Sequence, residues 1–221
     1  MTVHLATPIT PEGAPGALEF YEGAHVPWRT LVVRGLSQGQ VVDWKGPLMA
    51  QGEVVAQPEP KEHILWGLPP WRRMVGPQSF QDVYPTDVVG YIAGACGGKV
   101  IPNLPKSLKR HYVLPRVPAW EGVRMVLEAW GLDGVLHETD DGALYVGPVG
   151  ASPNAGGGVR LGEEEIAIHR PLGKVHYVKT RPVPTLRLFN RIQIPEGGGR
   201  VREHRLVLSP SEAYHEVFYE G

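Results

Sequence analysis

Cysteine is nearly missing: Cys96 is the only one in 221 residues. That excludes an intramolecular disulfide. Because Cys96 falls on an apolar helical stripe, it is expected to be a buried structural thiol. Net charge is missing too, since 22 Lys and Arg against 23 Asp and Glu leave −1 and a pI near 6.8. Such a chain has no whole-protein field to gather nucleic acid or an anionic membrane, so any such contact is local. No apolar run approaches a membrane span, and the N-terminus carries neither a basic patch nor an apolar stretch long enough for a signal peptide. A protein soluble where it is made is expected, with no membrane insertion. Asparagine occurs only at Asn103, Asn154 and Asn190. With one cysteine and many loop prolines, that resembles a thermophile's composition.

Convergent chemistry is also absent. The nine histidines are scattered singly, with no HExxH pair to set two imidazoles on one helical face for zinc. His137-Glu138-Thr139-Asp140-Asp141-Gly142 is the densest group of metal-type ligands, yet it lacks the carboxylate spacing and closing glutamate of a calcium loop and reads better as a hairpin turn. Glu163-Glu164-Glu165 reads as a solvated turn or strand start. Neither Gly156 to Gly158 nor Gly197 to Gly199 is followed by Lys-Ser/Thr and a helix, so both are expected to be loops and not phosphate cradles. No serine lies in a nucleophile elbow. The expectation is a non-enzyme with no catalytic residue, metal or cofactor.

What is present is clearest from Thr86 to Val146. Val88, Val89, Ile92 and Cys96 form one helical stripe that Gly97 stops, and Val123, Val126, Leu127 and Trp130 form another that Gly131 stops. The two stop glycines are 34 residues apart, and at that offset Val89, Ile92, Ala93 and Cys96 fall on Val123, Val126, Leu127 and Trp130. After the first helix, Lys99 to Ile101 and Leu108 to Leu114 read as extended pieces around the Pro102-Asn103-Leu104-Pro105 turn. After the second, Val135 to His137 and Ala143 to Val146 flank the Glu138 to Gly142 turn. An αββαββ module at 81–148, with helices over one sheet, is the economical reading.

Turn-punctuated β candidates lie on both sides: Ala17 to Tyr21, Thr30 to Arg34, Gln40 to Trp44, Leu48 to Ala56 and His63 to Trp66 before the module, and Ile166 to His169, Val175 to Thr180, Thr185 to Ile194, Val201 to Leu208 and Tyr214 to Tyr219 after it. The fold class is therefore α+β, mostly antiparallel. The expected divisions are an arm at 1–16, a β domain at 17–80, the module, a glycine-rich linker at 149–158 and a second β domain at 159–221. Alternation over Arg187 to Ile194 puts Arg187, Phe189, Arg191 and Gln193 on one face, which is polar and basic. Trp71 between Arg72 and Arg73 reads either as a stacking and phosphate-contact group or as packing against the next domain. Arg187, Arg191, Gln193, Trp71, Arg72 and Arg73 are the candidate lumen or interface residues.

The order β segment, helix-hairpin module, β segment resembles bacteriophage baseplate or tail hub proteins, the late control protein D family and related contractile-injection hubs. It is carried by Phe80 to Thr86 leading into Val88-Val89-Gly90-Tyr91-Ile92-Ala93, then Ala119 to Gly131, then Asp141-Gly142-Ala143-Leu144-Tyr145-Val146-Gly147. The resemblance implies that the flanking segments build tail-tube-like barrels, and that three subunits form a ring joining tail tube to spike or tip. It also implies a central channel passing DNA or a tape-measure protein, and a place in the virion after assembly in the host cytoplasm. No lysozyme-like or peptidase segment is present, so no lytic activity is carried over. A carbohydrate- or cell-wall-binding module with Trp66, Trp71 and Trp120 as platforms is the alternative.

Overall fold

The computed structural model describes residues 2–3, 17–34, 52–56, 62–209 and 211–221. The expected strand Gln40 to Trp44, and the arm beyond its first residues, lie outside them. In chain order come β1 (Thr2–Val3), β2 (Ala17–Gly23), β3 (Thr30–Arg34), β4 (Gly52–Ala56) and β5 (Glu62–Trp66). Next are β6 (Met74–Val75), β7 (Gln78–Val83), α1 (Pro85–Cys96), β8 (Val100–Pro102), β9 (Lys109–Leu114), β10 (Val117–Pro118), α2 (Ala119–Ala129), β11 (Val135–Glu138) and β12 (Leu144–Gly147). The last are β13 (Gly158–Arg160), β14 (Ile166–Leu172), β15 (Val175–Thr180), β16 (Arg191–Ile194), β17 (Gly197–Leu208) and β18 (Ala213–Glu220). The class is α+β and mostly antiparallel; β8–β12 and β13–β16 are parallel pairs.

The chain divides into two compact units, one from 1–67 with 154–221 and one from 68–153. The expected division instead sets 17–80 apart from 159–221. The two flanking β segments are not separate barrels, because β2 pairs antiparallel with β17 from Leu18↔Leu208 to Gly23↔Glu203. Among the described residues, 11 strands form one sheet in the order β1-β4-β5-β3-β2-β17-β18-β15-β14, with β16 on β17 and β13 on β16. The pairing of β1 with β4 also takes Thr2 and Val3 out of the expected free arm. Strict alternation makes β2 a half-buried strand, with Leu18, Phe20 and Glu22 turned inward. The C-terminal part of the core gathers Leu161, Val178, Leu186, Ile192, Ile194 and Val201.

In the other unit the two helices fold as their stripes dictate. Val88, Val89, Ile92, Val123 and Val126 are fully buried. Each helix ends in the same way: Gly97 (φ 75°) and Gly131 (φ 62°) take the left-handed conformation. The following amides, Gly98 N–H and Leu132 N–H, each reach 2.9 Å to Ala93 O and Leu127 O. These bonds repeat the 34-residue offset seen in the sequence.

The sheets of this unit depart from expectation. β8 and β9 do not form a hairpin. β8 runs parallel beside β12, while β9 pairs with β7, where Phe80 lies opposite Tyr112. A run of ring contacts through Tyr91, Phe80, Tyr112 and Trp130, at 5.3, 6.3 and 5.0 Å between centroids, holds β9 there. The helices thus pack with three small sheets and not one. The second hairpin, β11–β12, does close, around Thr139 to Ala143 with Gly142 at φ 74°.

The expected linker is ordered. Ser152 and Asn154 are buried despite being polar, because Ser152 Oγ bonds His137 Nε2 at 2.8 Å and Asn154 O accepts from Asn190 Nδ2 at 2.6 Å. Gly158 to Arg160 then becomes strand. Likewise Gly197 to Gly199 is not a loop but the start of β17, and the turn shrinks to Pro195-Glu196 because Ile194 pairs with Gly197.

Candidate functional site

The site follows from the register of three short strands. On β16, Ile192 and Ile194 turn into the core and leave Arg191 and Gln193 exposed on the other face. Arg191 stands opposite Arg200 of β17 and Gly158 of β13; Gln193 stands opposite Gly198 and Arg160. Residues directly opposite across strands share a face, so Arg160, Arg191, Arg200 and Gln193 lie together on one side. They line a shallow groove of about 610 Å³. Its floor is backbone, because a Cβ on Gly198 would sit 2.5 Å from Ile192 O and one on the adjacent Gly199 2.1 Å from Glu220 O. The glycine run therefore serves close strand approach, and it leaves guanidinium groups as the tall features of the face.

Within the groove Arg200 Nη1 donates to Phe189 O at 2.9 Å, and Gln193 Nε2 donates to Gly197 O at 2.9 Å across the hairpin. Among the described residues, Arg160 and Arg191 make no ion pair. Glu220, which pairs with Arg200 from the other side, is held by Arg202, whose Nη2 donates to it at 2.6 Å.

The start of β16 is set by the loop before it. Asn190 Oδ1 accepts from Arg187 N–H at 2.9 Å, Phe189 takes φ 67°, and Phe189 N–H donates to Val201 O at 3.0 Å. Leu188 N–H donates to Glu22 Oε2 at 2.9 Å, which ties the loop to a buried charge network. There Glu22 Oε1 accepts from Arg29 Nε at 2.5 Å and Glu22 Oε2 from His204 Nε2 at 2.6 Å; His204 Nδ1 shares a proton with His215 Nε2 at 2.9 Å. Burial alone would raise the Glu22 carboxyl, but the Arg29 guanidinium, the His204 bond and the Leu188 amide together hold it well below the carboxylate range. Burial, with His204 alongside, pushes His215 down to about 3. The network is enclosed, with Arg29, His204 and His215 at 1% exposure or less, so it organises structure and offers no access to a substrate.

Of the residues singled out from sequence, Arg191 and Gln193 lie on one exposed face of β16. Arg187 does not join them: the chain from Thr185 to Asn190 is turn and not strand. Its buried side chain folds back so that Nη1 donates to Pro184 O at 2.7 Å and Leu186 O at 2.8 Å. Phe189 is likewise core. Trp71 is no stacking platform either. It is 1% exposed in the unit of 68–153, on a 3₁₀ turn against Gly98. Beside it, Arg72 is half-buried and Arg73 Nη1 donates to Cys96 O at 3.0 Å, a cation at the carbonyl end of α1. Trp66 is stacked on Trp28 with centroids 5.1 Å apart.

Arg160 and Arg200 are members of the face that the sequence reading passed over. Arg160 lay next to a supposed linker and Arg200 after a supposed glycine loop. Drawing the β16–β17 hairpin with the two-residue turn would have set Arg200 opposite Arg191. Among the described residues no group of three or more His, Cys, Asp or Glu is arranged to hold a metal, and no helix is long and apolar enough to cross a membrane.

No family model matches the chain, and no curated protein matches it by sequence. Solved structures do match. The tail protein of Neisseria meningitidis MC58 superposes with a TM-score of 0.68 at 11% identity, covering 94% of this chain and 92% of that one. The 43 kDa tail protein of prophage MuSo2 from Shewanella oneidensis gives 0.65 at 7% identity, covering 93% and 92%. The fold is that of phage tail proteins. An E. coli type VI secretion component, itself structurally similar to T4 tail proteins gp27 and gp5, gives 0.61 at 9% identity over 99% of this chain and 75% of that one.

Proposed function

We propose that this tail-fold chain is a structural, non-enzymatic part of a phage tail: a baseplate hub or tail-tip subunit that joins the tail tube to the distal spike and forms part of the channel for DNA or a tape-measure protein. The observation that carries the reading is the likeness to tail proteins over nearly the full length of both chains, flanking sheet and helical unit alike. The type VI likeness supports placement in an injection-type assembly. Strand β14 ends one side of the sheet among the described residues, and an exposed edge of this kind calls for cover by a neighbour. A homotrimeric ring supplies that cover, with Arg191 and Gln193 at an interface or lumen. The protein then resides in the virion after assembly in the host cytoplasm.

Solution mass by light scattering and electron microscopy, alone and mixed with its tail-tube and spike proteins, tests this. Three-subunit rings capping tubes are expected. A chain that stays monomeric at high concentration and joins neither tube nor spike would refute the hub assignment.

A further inference from the structure

The arginine face combines three features that each ask for something outside the chain. The first is charge: Arg191 stands directly opposite Arg200, and like charges placed so repel. The carboxylate beside Arg200, Glu220, already serves Arg202. Arg160 lies diagonally on the same face, so three guanidiniums crowd a glycine-floored groove. The second is a free edge. Gly157 O and Leu161 N–H bond β16 at 2.9 Å each, and backbone direction alternates along a strand, so the N–H and C=O groups of Gly158 and Arg160 point away from β16. Among the described residues β13 has no other neighbour. The third is the absence of aromatic side chains from the groove lining, so the groove lacks the aromatic platforms on which single-stranded nucleic-acid sites stack successive bases.

From these we infer that the face is a docking site for an extended acidic peptide segment, which adds as a strand to β13 and sets its carboxylates against Arg160 and Arg191, with Arg200 as the far wall. Main-chain bonds to the β13 edge give affinity without sequence demand, and the arginine forks select carboxylates that recur every second residue on one side of the added strand. A nucleic acid is the less fitting occupant. Three cations neutralise few phosphates, and a net charge of −1 supplies no surrounding field. The inference concerns one subunit and does not depend on ring formation.

Fluorescence anisotropy with the isolated full chain tests it. The probe is a labelled eight-residue peptide alternating Glu and Val. Its controls are the Gln-for-Glu peptide, the same acidic peptide N-methylated at every second residue, and a labelled oligo-dT. Binding of the acidic peptide alone is expected, about tenfold weaker in Arg191→Gln and in Arg160→Gln. Both substitutions are on exposed side chains, and circular dichroism checks that the fold is kept. Equal binding of the N-methylated peptide would overturn strand addition. Preferential binding of oligo-dT, or no binding of the acidic peptide, would overturn the site itself. Either result leaves the ring measurement untouched, and a failed ring leaves this one untouched.

Discussion

The two units solve the problem of a core by different means. The unit of 68–153 is continuous in sequence, and its helices meet through apolar side chains: α1 and α2 bury Val88, Val89, Ile92, Val123 and Val126, and their ends are closed by local bonds five residues long, while His137 and Glu138 are buried at the β11–β12 hairpin. The unit of 1–67 with 154–221 joins segments about as far apart as the chain allows, and at that junction it buries charge. Glu22 on β2 meets His204 on β17 at 2.6 Å across 182 residues of sequence. Buried ion pairs are weak contributors to net stability but unforgiving of half removal, because the surviving charge stays in the core. The comparison suggests a division of labour: packing holds the helical unit, while in the sheet unit a charged clasp fixes which strands meet and in what register.

That contrast can be broken from either side. Ile92→Asp removes a fully buried side chain and puts a carboxylate in its place, which should cost more than about 5 kcal/mol. Hydrogen exchange should show protection lost over 85–129 while β17 and β18 stay protected. If exchange in the sheet strands accelerates equally, the units are not separate cores. Glu22→Ala should cost about 3–5 kcal/mol, since it removes the carboxylate that neutralises the buried Arg29 guanidinium and accepts from the His204 ring. There the loss should fall on β2, β17 and β18, and the loop at Leu188 should lose protection with them because its amide loses its acceptor.

The same contrast explains what could be read beforehand. The helices and their caps were legible because their signal is local: a period of apolar residues, a glycine, a spacing of 34. The β-rich class was legible from turn residues. Strand partners were not. Nothing in Leu18 to Gly23 announces Glu203 to Leu208, and two β segments separated by a module read naturally as two domains. Alternation also misled at Thr185 to Asn190, where side-chain bonds from Asn190 and Arg187 hold a turn that mimics a strand pattern. Half of the arginine face was visible, Arg191 and Gln193, because they alternate within one strand. The other half needed the register.

A milder test uses acid. The unfolded histidine titrates near 6.5 and the folded His215 near 3, so between these the unfolded chain binds the extra proton. Stability is therefore present above about pH 6.5 and declines as the pH falls, by about 1 kcal/mol per pH unit from this group alone. Glu22, held low when folded, adds a second loss as the pH falls below the usual carboxylate range. Urea melts from pH 7 to pH 4, followed by sheet-unit signals, should show this slope, and His215→Gln should flatten it above pH 4.5. An unchanged slope in that variant would mean that His215 is not the titrating group.

The smallest effect concerns the exposed end of the comparison. Arg191 and Arg200 are opposite each other without an acid between them, so Arg191→Gln should stabilise the free chain slightly, by a few tenths of a kcal/mol and roughly 1 °C in Tm. The gain should fade in 1 M salt, where the Debye length is about 3 Å and shorter than the distance across a strand pair. A loss of stability at low salt would mean that Arg191 is held by a favourable contact. In that case the face would be complete in itself, like the buried clasp, and the repulsion that marks a missing acidic partner would not exist.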